Sequence, residues 1–214
     1  MIISTMTYQE IADHYRKVFD CATSRINEKA HTFGSLVKKT RQYPLRRVFK
    51  VQTKDKVVLN LAFIANKRDE WNHPKLSLYS TFYKNGLYAI SMDIRYKIVY
   101  LYTPHFFDRY EERIVKNDGI SREDIIKRFM LTNQDMLWYK NATVFSKQYE
   151  KYERESVTQL AARVEEGNCF VDRLTPNTFI LRTVLSDEDL EIGPQTFAFS
   201  QLEQMRKFFA ERNE

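Results

Sequence analysis

Glycine and proline are scarce in this chain, five of each in 214 residues. That scarcity excludes collagen-like, loop-dominated and low-complexity architectures, and no internal repeat is visible. Cysteine is scarcer still. Cys21 and Cys169 stand far apart, which excludes a disulfide framework and any Cys-x-x-Cys motif. His14, His31, His73 and His105 fall at no metal-ligand spacing, so neither a metal site nor a cofactor is expected. There is no Walker loop and no dinucleotide fingerprint. No apolar run approaches a transmembrane length, and residues 1–10 lack the basic-then-apolar layout of a signal peptide. No membrane partner is expected, and reduced thiols point to the cytoplasm.

What the chain has is aromatic residues, 13 Tyr and 15 Phe, and positive charge, net +6. The charge is uneven. Residues 1–103 carry 18 Lys and Arg against 8 Asp and Glu, whereas residues 104–214 carry 16 against 20. The excess peaks at Lys38, Lys39, Arg41, Arg46, Arg47 and Lys50, with Tyr43 and Phe49 interleaved. Clustered cations with aromatics suit a nucleic-acid backbone and its bases, while a solvated face is the plainer alternative.

Hydrophobic periodicity predicts an α+β fold with a mostly antiparallel sheet, a long N-terminal helix, a central helix pair and a C-terminal helix. Apolar residues at steps of three and four mark a helix over 8–31, closed by Gly34, with a loop or short helix over 32–44. Five candidate strands follow at 47–53, 57–65, 76–83, 87–93 and 97–103, and Asn85-Gly86 marks a hairpin. A helix from Thr103 to Asp118-Gly119 comes next. A second starts at Ser121, with Ile125, Ile126, Phe129, Met130 and Leu137 buried. The interval 141–154 reads either as a strand then a loop or as one charged helix. Strands are expected at 157–164, 168–174 and 178–185, then a short helix capped by Ser186 and a final helix over 200–212. The chain reads as a single domain over 1–214, with a break near 66–75 as the alternative.

One stretch carries candidate chemistry. In Thr103-Pro-His-Phe-Phe-Asp-Arg-Tyr-Glu-Glu-Arg113, Thr103 suits an N-cap and Pro104 the first helical position. His105, Arg109 and Arg113 then share one face, with His105 beside the helix N-terminus, where phosphate is favoured. The plain alternative is a solvated face on which Asp108, Glu111 and Glu112 pair with Arg109, Arg113 and Lys116. Tyr102 and Tyr110 are further candidates for stacking on bases.

The pattern His105-x3-Arg109-x2-Glu112-Arg113, followed by Gly119-Ile120-Ser121-x-Glu123-Asp124, resembles a motif of a group of small bacterial proteins. Their layout is similar to the ribonuclease toxins of the RelE and barnase-like assemblage, and the likeness spans about residues 85–195. The run from Gly167 through Ile180-Leu-Arg-Thr183 resembles the sheet half of such proteins. The resemblance implies metal-independent RNA cleavage with His105 as acid or base, Arg109, Arg113 and Arg182 as phosphate clamps, and Thr183 as a hydroxyl ligand. It also implies RNA and a protein inhibitor as partners. The alternative function is a non-catalytic nucleic-acid-binding or protein-interaction module that uses the 38–56 cations.

Overall fold

Thr7 starts the first helix with a reciprocal cap. Its hydroxyl accepts from the Glu10 N–H at 3.2 Å, and the Glu10 carboxylate accepts from the Thr7 N–H at 2.7 Å. The computed structural model describes residues 5–117, 119–139 and 158–189. Helix α1 (Tyr8–Asp20) buries Ile11, Ala12, Tyr15, Val18 and Phe19, the expected stripe. The long helix read from the sequence is in fact two. It breaks at Cys21 and Ala22, where no side chain caps the new start, and α2 (Thr23–Lys39) runs on into the segment read as a loop or short helix. Gly34 lies inside α2 and does not end a helix. A Cβ there would stand 2.3 Å from the Trp71 carbonyl oxygen, so close backbone approach explains the glycine.

The first five strands form the expected meander: β1 (Leu45–Gln52), β2 (Val58–Ala65), β3 (Lys75–Tyr83), β4 (Leu87–Asp93) and β5 (Ile98–Tyr102). Gly86 turns the β3–β4 hairpin at φ 152°, and a Cβ there would lie 2.7 Å from the Pro104 ring. Strands β2 and β3 pair directly, so residues 66–75 are a connection within one sheet, containing a 3₁₀ turn at Arg68–Trp71.

After β5 come α3 (Pro104–Tyr110), a π turn (Glu111–Val115) and α4 (Arg122–Thr132). The left-handed residue that stops the first of these is Lys116, at φ 51°, and not Gly119. Leu137 does not belong to the α4 face, because α4 ends at Thr132. It lies in the two-residue strand β6 (Leu137–Trp138). Strands β7 (Thr158–Val164), β8 (Gly167–Thr175) and β9 (Thr178–Leu185) complete the sheet. Ser186 and Asp189 cap one another reciprocally. The interval 141–154 and the helix expected at 200–212 lie outside the described residues.

The fold is α+β. Among the described residues nine strands follow the order β1-β2-β3-β4-β5-β9-β8-β7-β6, and every neighbouring pair is antiparallel except β5 and β9. Helices α1 and α2 cover one face, burying Leu59, Leu61 and Phe63 of β2 beneath them. Helices α3 and α4 cover the other, over Ala62, Tyr79, Tyr102 and Leu181. Two-sided cover explains why β2 is buried at seven consecutive residues and shows no alternation. Among the described residues no helix is long and apolar enough to cross a membrane.

Phe129 ties α4 to the rest of the second core. Fully buried, it meets Tyr102, Phe106 and Tyr110 edge-on, with ring centres 5.4, 5.1 and 5.1 Å away. Phe129→Ala is expected to remove about 3–5 kcal/mol of stability. The measurement is a urea unfolding curve, with the midpoint lowered and the slope unchanged. A loss below about 1 kcal/mol would show that this ring cluster does not hold α4.

Candidate nucleic-acid interface

Helix α3 is positioned at both ends by β9. The Thr103 N–H and hydroxyl both lie 3.2 Å from the Leu181 carbonyl, and the same hydroxyl accepts from the Phe106 N–H at 3.2 Å. At the far end Arg113 donates to the Val184 carbonyl at 2.8 Å. The expected phosphate site at the start of α3 is therefore poorly equipped. Pro104 has no N–H, the Phe106 N–H is already capped, and α3 is only seven residues long.

The face expected to carry His105, Arg109 and Arg113 is only partly realised. His105 is exposed on the first turn. Arg109 pairs with Glu112, and its Nε is buried without a partner. The π turn ends the α-helical spacing after Tyr110, and Arg113 is engaged by β9. Asp108 and Glu111 hold Arg122 of α4 instead of residues on their own helix.

Arg182 and Thr183 lie across the sheet from this helix. Thr183 pairs with Phe170 and Leu181 with Val171, so Arg182 is the extra residue of a β-bulge. Its Nε donates to Asp172 at 2.6 Å, and its guanidinium sits 5.6 Å from the Tyr8 ring of α1. Asp172 pairs with Ile180, which belongs to the α1–α2 core, whereas Leu181 and Val184 pack with α3. The five residues of the expected catalytic set are thus divided between two faces. Tyr102 and Tyr110, expected to stack bases, are buried in the second core at 4% and 0% exposure.

The basic cluster is surface throughout. Lys38, Lys39, Arg41, Arg46, Arg47 and Lys50 are all exposed, at the C-terminal end of α2 and along β1, the outermost strand on its side. Lys38 lies 3.2 Å from the centre of the Trp71 ring. The other five form no ion pair among the described residues. The interleaved aromatics do not join them. The Tyr43 hydroxyl donates to the Val37 carbonyl at 2.6 Å, and Phe49 packs edge-on against Phe63 at 5.8 Å. This edge accordingly offers mainly charge, which suits phosphates, with Trp71 beneath Lys38 as an exposed aromatic. Charge on an outer strand also blocks edge-to-edge pairing, a purely structural role.

A polar hub that local sequence does not mark lies behind α3. The Glu166 carboxylate accepts from Tyr110, from Arg128 at 2.9 Å and from Asn133 at 3.1 Å, joining α3, α4 and the β7–β8 turn. From sequence, Glu166 is only a turn residue. Burial pushes its carboxyl up, but the hydrogen bonds from Tyr110, Arg128 and Asn133 outweigh that and hold it below the ordinary carboxylate range. Among the described residues no three His, Cys, Asp or Glu side chains converge as a metal site.

Compared with known protein families, curated proteins and solved structures, the chain matches none.

A carboxyl with a lowered folded pKa stabilises above its unfolded pKa, and that contribution is lost as pH falls through the folded value. Glu166→Gln is therefore expected to destabilise by about 1–3 kcal/mol at pH 7. The difference from wild type should shrink as pH drops below the ordinary carboxylate range. Parallel unfolding curves from pH 7 to pH 3 test this, and a difference independent of pH would remove charge from the account.

Proposed function

We infer that the chain binds nucleic acid through the phosphate backbone, at the β1 edge and the end of α2, without chemistry at α3. One observation carries this reading: five exposed cations, Lys39, Arg41, Arg46, Arg47 and Lys50, share one edge and lack acidic partners among the described residues. A polyanion would supply the missing counter-charge and gain affinity by releasing its own counterions. The core positions of Tyr43 and Phe49 make this contact indifferent to sequence. The resemblance to ribonuclease toxins makes RNA the polymer to test first. Free Cys21 and Cys169 agree with a cytoplasmic setting.

Metal-independent RNA cleavage is the second reading. Exposed His105 and the unpartnered Nε of Arg109 favour it, one turn apart on α3. The division of Arg182 and Thr183 from that helix counts against it, since clamps beyond the sheet cannot stabilise charge beside His105.

Both readings are separated by one preparation. Labelled single-stranded RNA should bind with an affinity that falls steeply between 50 and 200 mM salt, with a logarithmic slope of about −0.7 for each phosphate contacted. Arg41→Glu/Arg46→Glu/Arg47→Glu together should reduce that slope by about 2. These glutamates keep the outer strand charged, so a purely edge-protecting role predicts no change. Absent or salt-independent binding would overturn the reading. With EDTA present, cleavage by wild type that drops about 10²–10⁴-fold in His105→Ala would establish the second one.

A further inference from the structure

A cavity of about 760 Å³ opens beside the basic edge, within the usual range of about 300–1,000 Å³ for small-ligand sites. It lies between the α3–α4 face of the sheet and the connection from α4 to β6. Its origin is local. Ser77 and Ser91 occupy sheet positions whose neighbours Tyr79, Tyr100 and Tyr102 are large, so the short side chains leave a hollow beneath the connection.

The lining is amphipathic. Ser91 and Tyr102 share a hydrogen bond at 3.3 Å on the floor, and Ser77 adds a hydroxyl that either donates or accepts. Met130 and Met136 supply thioethers, which suit the edge or face of a flat ring. Gln134 forms part of the wall, its amide nitrogen donating to the Ala62 carbonyl at 3.1 Å. At the mouth Arg95 is exposed and forms no ion pair among the described residues. Lys75, held by Asp135, also lines it.

Register connects this mouth to the basic edge. Arg46 pairs with Ile64 and Ile64 with Lys75, so the three share one row and one face. Two strand spacings, about 10 Å, separate the edge cation from the cavity.

We propose that this cavity binds one nucleotide unit, with the base inside and the phosphate toward Arg95. The ring faces meet Met130 and Met136, and the hydroxyls of Ser77 and Ser91 take the polar edge. The backbone reading at the β1 edge supplies the source: a strand lying on Arg46 and Lys75 can turn one unstacked base inward. A free nucleotide has the same chemistry, and the two sources are distinguishable.

The probes are cytidine, adenosine and uridine 5′-monophosphates, titrated into full-length wild type and Ser77→Leu. Ser77 is half-buried and has no side-chain hydrogen bond, so leucine fills the hollow without removing a partner. All three nucleotides should bind wild type, and Ser77→Leu should lose at least tenfold for each. Labelling the methionine methyl groups with ¹³C gives a readout in wild type alone, with resonances of Met130 and Met136 shifting on titration and that of Met6 unmoved. No shift at Met130 or Met136 up to millimolar nucleotide, or full affinity in Ser77→Leu, would overturn the proposal. A labelled oligonucleotide run beside them separates the two readings. Salt-dependent oligonucleotide binding unaffected by Ser77→Leu would leave the edge reading standing and end this one. Nucleotide binding without oligonucleotide binding would support the cavity with a free ligand and end the edge reading.

Discussion

The parallel contact between β5 and β9 is the constraint on which the molecule depends. On either side of it the strands are antiparallel and, apart from the β6–β7 connection, joined by hairpins or short links to their sequence neighbours. The contact between the two halves must be made across the whole α3-to-β8 stretch, at the cost of closing a long loop. Thr103 stands at that join, bonded to β9 while starting α3. Helix α3 is thereby fixed over the centre of the sheet, and Phe106, Phe107 and Tyr110 receive Phe129 of α4.

Charge in the two halves is handled differently. Among the described residues after 103, six acids are engaged by arginines: Asp108 and Glu111 with Arg122, Glu112 with Arg109, Glu166 with Arg128, Asp172 with Arg182, and Asp187 with Arg163. Few acids are available before residue 104, and among the described residues Lys39, Arg41, Arg46, Arg47 and Lys50 stay exposed and without an ion pair. Exposed like charges on one edge are screened beyond about 8 Å at physiological salt, which makes their effect on a partner local and dependent on ionic strength.

Aromatic abundance has a mainly structural meaning. The rings of Tyr102, Phe106, Phe107, Tyr110 and Phe129 form one edge-to-face cluster, and Phe33, Phe49 and Phe63 another beneath α2. Burial raises the hydroxyl pKa of Tyr100 and Tyr102 well above the ordinary tyrosine range, so both stay neutral donors. Small residues are as informative as the large ones. Gly34 admits the Trp71 backbone, and Ser77 and Ser91 leave space among tyrosines.

What the sequence determined by itself is what neighbouring residues decide together. The Thr103-Pro104 helix start, the Asn85-Gly86 hairpin, the Ser121 cap and the five-strand meander all appear where their local chemistry puts them. The density of cations between Lys38 and Lys50 was equally legible, because charge needs no fold to be counted. Tertiary structure decided which face each residue serves. One extra residue at Arg182 sets the register that faces Asp172 and Thr183 toward α1, and a break at Cys21-Ala22 turns one apparent helix into two. It also decided that Tyr43 and Phe49 face the core while their charged neighbours do not. Such outcomes depend on strand register and on groups brought together from distant positions, where a single residue's shift exchanges one face of the sheet for the other.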